Sequence, residues 1–410
     1  MTTYNNSKIF NKAFAELTEL YGKDVPITIL NRYYKEKALL KNSDLVLLFD
    51  TMAEVKKQAK NDSVSTWSRG TYTASFIAFL LGATDINPLP SHIVCPSCNK
   101  VTFIEPNAFP PDTPNSTCEC GKVCHVDGYD LDFEMLYSNL TNSWCEICVA
   151  TSYRQKAHDI ILNHLSKYKI CFVKDEKYLE RIYLADKLDK EYKEDELSHL
   201  AHITLLPHYE LQLLDEIEKA TNTKSGSCDK EILARLLDKD FDGIFVKGTE
   251  FLSDTAQKTN PKTYYDFLKL LGLGNGTSVW KNNLENIYNK ETCSLATIPS
   301  FREDVYRAVL YKLMEHGIYD FGLAYEVSRL ASLGIYNRRG IDDTTKKALL
   351  SLSFDNSFIE FLSKIIYMST KAIAITSLNH VSKLMWYKIN FPAEFESIIK
   401  NAHMSTKKST

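Results

Sequence analysis

The chain has 410 residues, 44% of them hydrophobic and 25% charged, and its formal net charge is −3. This composition is typical of a globular protein with roughly two or three domains, and the small net charge argues against a general nucleic-acid binder with a strongly basic surface. No apolar run approaches the ~20 residues of a membrane span, and the N-terminus lacks the apolar core of a signal peptide. We therefore expect a cytoplasmic protein without membrane contact.

Charge is distributed unevenly along the chain. Residues 129–220 contain 11 Lys and Arg against 18 Asp and Glu, a net charge of −7. Residues 261–410 contain 19 Lys and Arg against 14 Asp and Glu, a net charge of +5. A bound polyanion is therefore expected to contact the C-terminal third of the chain.

The first part of the chain is predicted to be helical. Apolar spacing predicts two amphipathic helices over residues 8–60, broken near GKDVP, and a buried helix over residues 71–83 that ends at Gly82. Residues 90–128 are rich in Cys, Pro and Gly and show little periodicity, which indicates a small knuckle held together by a metal ion. Strand-like runs follow at EICVAT, YKICFV and LAHITLL.

The C-terminal part of the chain, from residue 225 onward, is predicted to be mainly helical. Residues 225–260 are interpreted as a connector. From 261 to 400 the pattern is almost wholly helical, with short turns at GLGNGT, NRRG and FPAE. The C-terminal STKKST is expected to be frayed.

Ten cysteines are present, and seven of them lie between Cys95 and Cys148. Such a cluster in a cytoplasmic protein points to local chemistry rather than to a disulfide framework. Cys145 and Cys148 flank Glu146 in the strand-like run NSWCEICVATS. Residues i and i+3 of a strand face opposite sides, so we interpret these two as buried structural cysteines rather than a redox pair.

The other cysteines of this group have the spacing of metal ligands. CPSC and CECGKVC supply two close thiolate pairs, and four thiolates suit a tetrahedral, structural zinc site. Cys95 and Cys98 are the firmest ligand assignments. The second pair is either Cys118 with Cys120 or Cys120 with Cys124. The alternative is a knuckle that has lost its metal.

A longer set of motifs carries a family resemblance. WSRGTYTASFIAFLLGATDINPLPSHIVCPSCNK followed by CECGKVCHVDGYDLDFE resembles the palm of the PolC-type DNA polymerase III alpha subunit of low-GC Gram-positive bacteria. AFAELTELYGKDVP resembles the helix that precedes that palm. TNPKTYYDFLKLLGLGNGTSVW, IPSFREDVYRAVLYKLM and IYMSTKAIAITSLNHVSKLMWYKINFPAEF resemble the fingers. The similarity is collinear over nearly all of the chain.

The resemblance implies an α+β fold, with a nucleotidyltransferase-like (polymerase beta-like) palm that carries an inserted zinc knuckle and is followed by a helical fingers domain. The family's upstream and downstream domains have no counterpart, so we expect a truncated palm-plus-fingers module. The implied segments are N-terminal palm helices at 1–66, a degenerate palm at 67–225 with the knuckle at 92–128, a connector at 226–260, the fingers at 261–400 and a flexible tail at 401–410.

The resemblance also implies that the catalytic aspartates are missing. The family's D-x-D pair falls on Trp144 and Glu146, and its third aspartate falls on Ile203. Neither tryptophan nor isoleucine ligates magnesium, and a single carboxylate does not hold two divalent ions ~4 Å apart. We therefore expect a pseudo-enzyme that binds no catalytic magnesium.

The phosphate-binding motif of the family is altered as well. Its leading glycine is replaced by Trp67, whereas Ser68, Arg69 and Gly70 persist as candidate phosphate-binding residues. Trp67 and Trp144 are expected to pack into the vacated site, and indoles facing solvent on opposite sides of the structure would contradict this hypothesis.

Several basic residues in the fingers remain candidate anion ligands. Arg302 matches the position at which the family's fingers present an arginine to the incoming triphosphate. Lys371 matches another basic position of the fingers. Four further cations form a basic patch, and the resemblance places this patch where template DNA would pass. Each is as readily an ordinary surface charge. The four are Arg338, Arg339, Lys346 and Lys347.

Three functions compete. The first is a catalytically inactive PolC-like protein that acts in or against DNA replication by binding primer-template DNA or a replisome component, as a decoy or inhibitor from a mobile element. The second is residual nucleotidyltransferase activity that uses Glu146 with Asp130 or Asp132. The third is a zinc-stapled protein-interaction module without a DNA role. The sequence predicts no oligomeric state.

Overall fold

The computed structural model describes residues 5–406 except 106–107, 142, 177–178, 186–192, 198, 227, 245–248 and 289–293. The chain divides into two compact units, Met1–Gly226 with Trp386–Thr410, and Ser227–Met385. The described residues combine helices with two β-sheets, which confirms the mixed α+β class. No described helix has the length and apolar content needed to cross a membrane.

The first unit begins with three helices rather than the two predicted over residues 8–60. The additional break falls at KNSD, where Ser43 accepts a hydrogen bond from the Leu45 amide (3.2 Å) and starts a new helix. Such local side-chain bonds favour helix starts over helix interiors. The helices are α1 Asn6–Tyr21, α2 Ile27–Leu40, α3 Leu45–Asn61, α4 Phe76–Leu81, α5 Tyr137–Thr141, α6 Arg154–Leu165, α7 Glu194–Leu197 and α8 Tyr209–Thr221.

The predicted helix over residues 71–83 is shorter in the structure. A 3-10 turn at Thr71–Ala74 precedes α4, and the Ser75 side chain accepts a bond from the Ala78 amide at the helix start. Gly82 adopts the left-handed conformation (φ 82°) and ends the helix as predicted.

Nine strands form two sheets among the described residues of this unit. They are β1 Thr66–Arg69, β2 His92–Val94, β3 Val101–Phe103, β4 Ser116–Thr117, β5 Val123–Asp127, β6 Trp144–Ala150, β7 Ile170–Glu176, β8 Leu179–Ala185 and β9 His202–His208. The larger sheet has the order β1-β6-β9-β8-β7, and only its central pair β6–β9 is parallel. The smaller sheet, β3-β2-β5-β4, forms the knuckle.

The two faces of the larger sheet differ. Cys145, Ile147 and Val149 are fully buried, and they share one hydrophobic core with α3 and α6. Side chains alternate along a strand, so Trp144 and Glu146 lie on the other face of β6. We call this second face, with its neighbours across the strands, the Glu146 face.

The second unit is helical in its described residues, apart from a short bridge between Thr277 and Tyr367. Its helices are α9 Lys230–Leu237, α10 Thr249–Thr259, α11 Tyr264–Asn275, α12 Glu285–Ile287, α13 Arg302–Glu315, α14 Phe321–Ser332, α15 Ile335–Arg339, α16 Asp343–Ser351 and α17 Asn356–Lys364. The segment interpreted as a connector thus contains α9 and α10. Helix α18 (Lys371–Asn390) crosses into the first unit, which ends with α19 (Pro392–Thr406).

Candidate functional site

A row of four side chains crosses the Glu146 face. In the register of the sheet, Arg69 on β1 is opposite Glu146 on β6, Glu146 is opposite Thr204 on β9, and Thr204 is opposite Arg181 on β8. Directly opposed residues project to the same face. The row therefore places one carboxylate between two guanidinium groups and beside a neutral hydroxyl.

The electrostatics of this row favour neutralisation of the carboxylate. Nε of Arg69 lies 3.5 Å from Oε2 of Glu146. Burial raises the pKa of Glu146, while the charges of Arg69 and Arg181 act in the opposite direction without cancelling that effect. The carboxylate therefore already has cationic partners and is held in its charged form less firmly than a free glutamate.

Trp144 is packed against the loop that follows β1. Gly70 has a φ of 97°, and a Cβ at this position would lie 3.2 Å from Cζ3 of Trp144. The Tyr72 hydroxyl donates to the backbone oxygen of Glu146 (3.1 Å), and Nδ2 of Asn139 donates to the backbone oxygen of Trp144 (2.7 Å). These bonds hold the loop and β6 together, with the indole between them and glycine at the closest approach.

Trp67 lies on the same face as Trp144. It is opposite Cys148 in the register, and its ring centroid is 4.5 Å from that of His208. Both indoles are partly buried. The arrangement that would contradict the packing hypothesis, two indoles facing solvent on opposite sides, does not occur.

Ile203 lies on the buried face, away from Glu146. It is opposite Cys145 and fully buried. The β9 residue beside Glu146 is instead Thr204, which is one position further along the strand. A shift of one residue reverses the face of a side chain, and the apolar run LAHITLL does not reveal that parity. Sequence reasoning missed Thr204 and Arg181 because only the strand register brings them to Glu146.

The substitute ligands proposed for residual activity are not grouped around Glu146. Asp130 and Asp132 follow β5, outside the larger sheet. Among the described residues, the only group of three or more His, Cys, Asp or Glu side chains that could hold a metal ion is a cluster of cysteines.

Ser68 faces the core side of β1, unlike Arg69. Its hydroxyl donates to the Ala83 backbone oxygen (3.0 Å) and accepts from Nζ of Lys56 (3.4 Å), which also pairs with Asp85. These bonds give Ser68 a role in holding α3 and the end of α4 to β1.

In the second unit, the starts of α13 and α18 bring Arg302 and Lys371 close together. The Arg302 amide donates to the Ser369 backbone oxygen (2.9 Å), and the Lys371 amide donates to Oε2 of Glu303 (2.9 Å). The Arg302 side chain lies over the Tyr325 ring, 5.0 Å from its centroid. It is only 6% exposed, and its Nε and Nη2 have no hydrogen-bond partner within the described part of the chain.

The basic patch is solvent-exposed. Arg338 and Arg339 end α15, and Lys346 and Lys347 lie in the first turns of α16, after a turn at Gly340. None of the four forms an ion pair with another described residue. Their charges are thus available to an external anion.

The cysteine cluster consists of Cys95, Cys98, Cys118 and Cys120, whose Sγ atoms all lie within 4.8 Å of one another. Sγ of Cys95 is 3.4 Å from that of Cys120, and Sγ of Cys98 is 3.6 Å from that of Cys118. Tetrahedral zinc with Zn–S bonds of ~2.3 Å needs sulfur atoms roughly 3.8 Å apart, so the set fits a tetrahedral ion. Cys124 is buried on β5 and lies outside this group.

Backbone amides near the cluster favour the thiolate form of one of its cysteines. The backbone amides of Cys98 and Ser97 lower the pKa of Cys95 to about 6. The thiolate is the metal-binding form of cysteine. The predicted cysteine cluster is therefore present in the structure and could bind a metal ion such as zinc.

Comparison with known proteins shows what the first unit is similar to. Residues 7–186, which include the cysteine cluster and most of the larger sheet, match the family model described as "Bacterial DNA polymerase III alpha NTPase domain". The chain is therefore similar to a bacterial DNA polymerase III alpha region.

The curated relatives show that the similarity is to the PolC type of DNA polymerase III. The chain is 23% identical over 92% of its length to "DNA polymerase III PolC-type" of Thermotoga petrophila and 22% identical over 94% to the protein of that name from Staphylococcus saprophyticus. It spans about a third of these relatives, 33% and 32% of their length. The resemblance is thus confirmed, and this protein is related to PolC-type DNA polymerase III.

Proposed function

We propose that this PolC-like protein is catalytically inactive and acts in or against DNA replication by binding primer-template DNA. The observation that carries the proposal is the row Arg69, Glu146, Thr204 and Arg181. It offers one carboxylate where two-metal nucleotidyl transfer needs a set of anionic oxygen ligands. The names of the relatives supply the link to replication.

The row also opposes metal binding by its charge. A divalent cation at Glu146 would have to displace Arg69 and would lie beside the positive charge of Arg181. Like-charge repulsion of this kind disfavours the bound ion. The Trp144 indole, held under Gly70, fills space beside the carboxylate and leaves an apolar surface there.

The finer fold assignment belongs to the same proposal. We assign residues 67–225 to a nucleotidyltransferase-like palm and the helices after 261 to fingers. The central parallel pair β6–β9 and the collinear similarity to PolC-type proteins support this assignment. We assign a structural zinc ion to the cysteine cluster, because four thiolates leave no open coordination position for catalysis.

Two features of the second unit favour a DNA ligand. The exposed cations Arg338, Arg339, Lys346 and Lys347 lack ion-pair partners among the described residues, as expected for groups that neutralise phosphates. A buried guanidinium whose Nε and Nη2 lack hydrogen-bond partners among the described residues is costly, and Arg302 at the start of α13 is such a group. A phosphate group would satisfy it.

The test combines primer extension with DNA binding. We expect no extension by the full chain with Mg²⁺ or Mn²⁺ under conditions in which a PolC-type relative extends the primer. Fluorescence anisotropy should show salt-dependent binding to primer-template. Arg338→Ala/Arg339→Ala should weaken this binding and lower the salt slope by about 0.9 for each phosphate that the variant no longer neutralises.

A matched control is available in the same unit. Lys312 and Lys364 are paired with Glu315 and Glu360, so Lys312→Ala/Lys364→Ala removes two charges that already have partners and should leave binding nearly unchanged. Extension that is abolished by Glu146→Gln would overturn the proposed inactivity. Equal weakening by the two double variants would overturn the basic patch as the DNA-binding surface.

Binding to a replisome protein is a second candidate function, favoured by exposed hydrophobic residues around the junction of α13 and α14. Exposed aromatic and methionine side chains are typical of protein interfaces. Binding of a purified replisome protein that is lost in Tyr311→Ser/Tyr319→Ser, with DNA binding absent, would favour this function. The exposed residues are Tyr311, Met314, Ile318, Tyr319 and Phe321.

A further inference from the structure

The C-terminal end of α1 is capped by the metal knuckle. The last carbonyl groups of a helix have no partner within the helix. Nδ2 of Asn99 donates to the backbone oxygens of Glu19 (3.1 Å) and Leu20 (3.2 Å) in the last turn of α1. A Cβ on Gly22, which follows the helix with a φ of 77°, would lie 2.9 Å from the Cβ of Asn99. Glycine at this position therefore makes room for the knuckle.

Asn99 belongs to the same tight turn as two metal ligands. It follows Cys98 directly, its amide donates to the Cys95 backbone oxygen (3.0 Å), and the Cys95 amide donates to the Lys100 backbone oxygen (3.1 Å). Asn99 adopts the left-handed conformation, with a φ of 56°. The turn that directs the thiols of Cys95 and Cys98 toward the cluster thus also directs the side-chain amide of Asn99 toward α1.

A second, buried contact joins the same helix end to the knuckle. The Tyr21 hydroxyl accepts from Nδ2 of Asn87 (3.0 Å) and lies 3.2 Å from Nε2 of His92 on β2. Nδ2 of Asn87 also donates to the Asp127 carboxylate on β5 (2.6 Å). Because this network does not include the ligand turn, it holds the knuckle near α1 whether or not a metal is bound.

We propose that Asn99 is a positioning residue that couples metal binding in the cysteine cluster to the order of the last turn of α1. A bound ion fixes the turn from Cys95 to Cys98, and the fixed turn holds the Asn99 amide against the two α1 carbonyls. Without the ion, the thiols no longer constrain the turn, and the cap loosens. By linkage, loss of the cap weakens metal binding by the same factor.

The experiment is hydrogen exchange of the full chain, stripped with a chelator or loaded with Zn²⁺ alone. Adding Zn²⁺ should slow amide exchange in the last turn of α1 in the wild type by roughly tenfold or more. Two backbone carbonyls gain a partner, so this turn should open less often and its amides should be protected. Asn99→Gly keeps the left-handed backbone and all four thiols but removes the side-chain amide. In this variant Zn²⁺ should still bind, and the slowing at α1 should be lost.

Asn260→Gly is the matched control. Asn260 is also left-handed (φ 52°), is exposed, and lies at the end of α10, far along the chain from the knuckle. This variant should keep the full effect of Zn²⁺ on α1. The proposal is overturned if Zn²⁺ leaves the exchange of α1 unchanged in the wild type, or if Asn99→Gly shows the same slowing as the wild type. Zn²⁺ affinity that is identical in wild type and Asn99→Gly would overturn the reciprocal coupling.

Discussion

The Glu146 face and the cysteine cluster differ in their suitability for a metal ion. The cluster has four ligands of one chemical type within 4.8 Å of one another, contributed by two short segments. The Glu146 face has one carboxylate, paired with Arg69 and packed beside Trp144. Metal binding at a closed structural site contributes directly to the free energy of folding, whereas the ligands of a catalytic site serve activity and can lower stability.

The surroundings of Glu146 explain why this face is stable without an ion. Clustered carboxylates without metal ions repel one another, so they weaken the folded state. On the Glu146 face, arginine, threonine and tryptophan lie beside a single carboxylate. This set neutralises its charge and buries apolar surface, so the sheet does not depend on an ion. Under the proposed zinc assignment the cysteine cluster does depend on its ion, which gives the first and largest prediction.

Removing the metal should strongly destabilise the first unit. A ligand present at 100 to 1,000 times its Kd stabilises the folded state by about 3–4 kcal/mol, which corresponds to a Tm decrease of roughly 5–15 °C when the ligand is removed. Chelation of the wild type, or Cys118→Ala, should produce this decrease. The measurements are differential scanning calorimetry and metal content by mass spectrometry.

Cys124→Ala is the control for that prediction. Cys124 is a buried cysteine on the neighbouring strand, outside the group of four. Its variant should retain one metal ion per chain, although it loses a small buried side chain. A chain that keeps its metal in Cys118→Ala and loses it in Cys124→Ala would show that the ligand set is different.

The second prediction tests whether Trp144 fills the Glu146 face. Gly70 has a φ of 97° and a ψ of 178°, a region nearly restricted to glycine. Gly70→Ala adds this backbone strain to the contact with the indole, so we expect a loss of about 2–3 kcal/mol in the free energy of unfolding. Denaturant unfolding of the single variant, of Trp144→Ala and of the double variant gives the interaction energy between the two positions.

Gly82→Ala is the control that separates backbone strain at a positive φ from the contact of a Cβ with the Trp144 indole. Gly82 has a φ of 82°, and a Cβ there would meet no atom within 4 Å. Its variant should lose only about 1 kcal/mol, and it should show no coupling to Trp144→Ala. A Gly70→Ala destabilisation that is independent of Trp144 would mean that the indole is not packed against the loop.

The cysteine cluster and the Glu146 face also differ in how far the sequence predicts them. The cysteine ligands lie close together in the chain, so their spacing indicates the site without knowledge of the fold. The choice between Cys118 and Cys124 is open in the sequence because it depends on the pairing of β4 with β5 in the knuckle. Local periodicity likewise indicates both helices and strand-like runs, whereas the α+β class itself is what the family resemblance implies.

The surroundings of Glu146 depend on distant segments. Arg69, Thr204 and Arg181 reach it only through the register of three strand pairs, which spans more than 100 residues of sequence. The family resemblance places the third aspartate at Ile203, one residue from the position that faces Glu146. That shift moves a side chain from the site to the core, and periodicity does not detect it when both faces of a strand are apolar.

The smallest predicted effect is the pH dependence of the Glu146 pair. Burial raises the pKa of Glu146 above its ordinary value of 4.5, despite the opposing charges of Arg69 and Arg181. A carboxyl group whose pKa is higher in the folded state contributes stability at pH values below its unfolded pKa. That contribution is lost as the pH rises through the folded pKa. Relative to Glu146→Gln, the wild type should therefore become less stable as the pH rises from 4 toward neutrality.

Asp50 provides the opposite case in the same unit. Burial raises the pKa of Asp50, but the contacts of its carboxylate with His164 (3.2 Å) and Lys12 (3.2 Å) lower the pKa by more than burial raises it, so the pKa in the folded state is below the ordinary value. Its contribution is present above the unfolded pKa and is lost as the pH falls through the folded pKa. Relative to Asp50→Asn, the wild type should gain stability as the pH rises toward the ordinary pKa of 3.8 and change little above it. The loss relative to Glu146→Gln should instead begin near the ordinary pKa of 4.5 and continue above it. If urea unfolding from below pH 3.8 up to pH 7 shows that the wild type gains stability with pH relative to both variants, then the arginines dominate at Glu146. The carboxylate would then be held in its charged form more firmly than a free glutamate, and the face would be closer to a metal-binding site than its neighbours suggest.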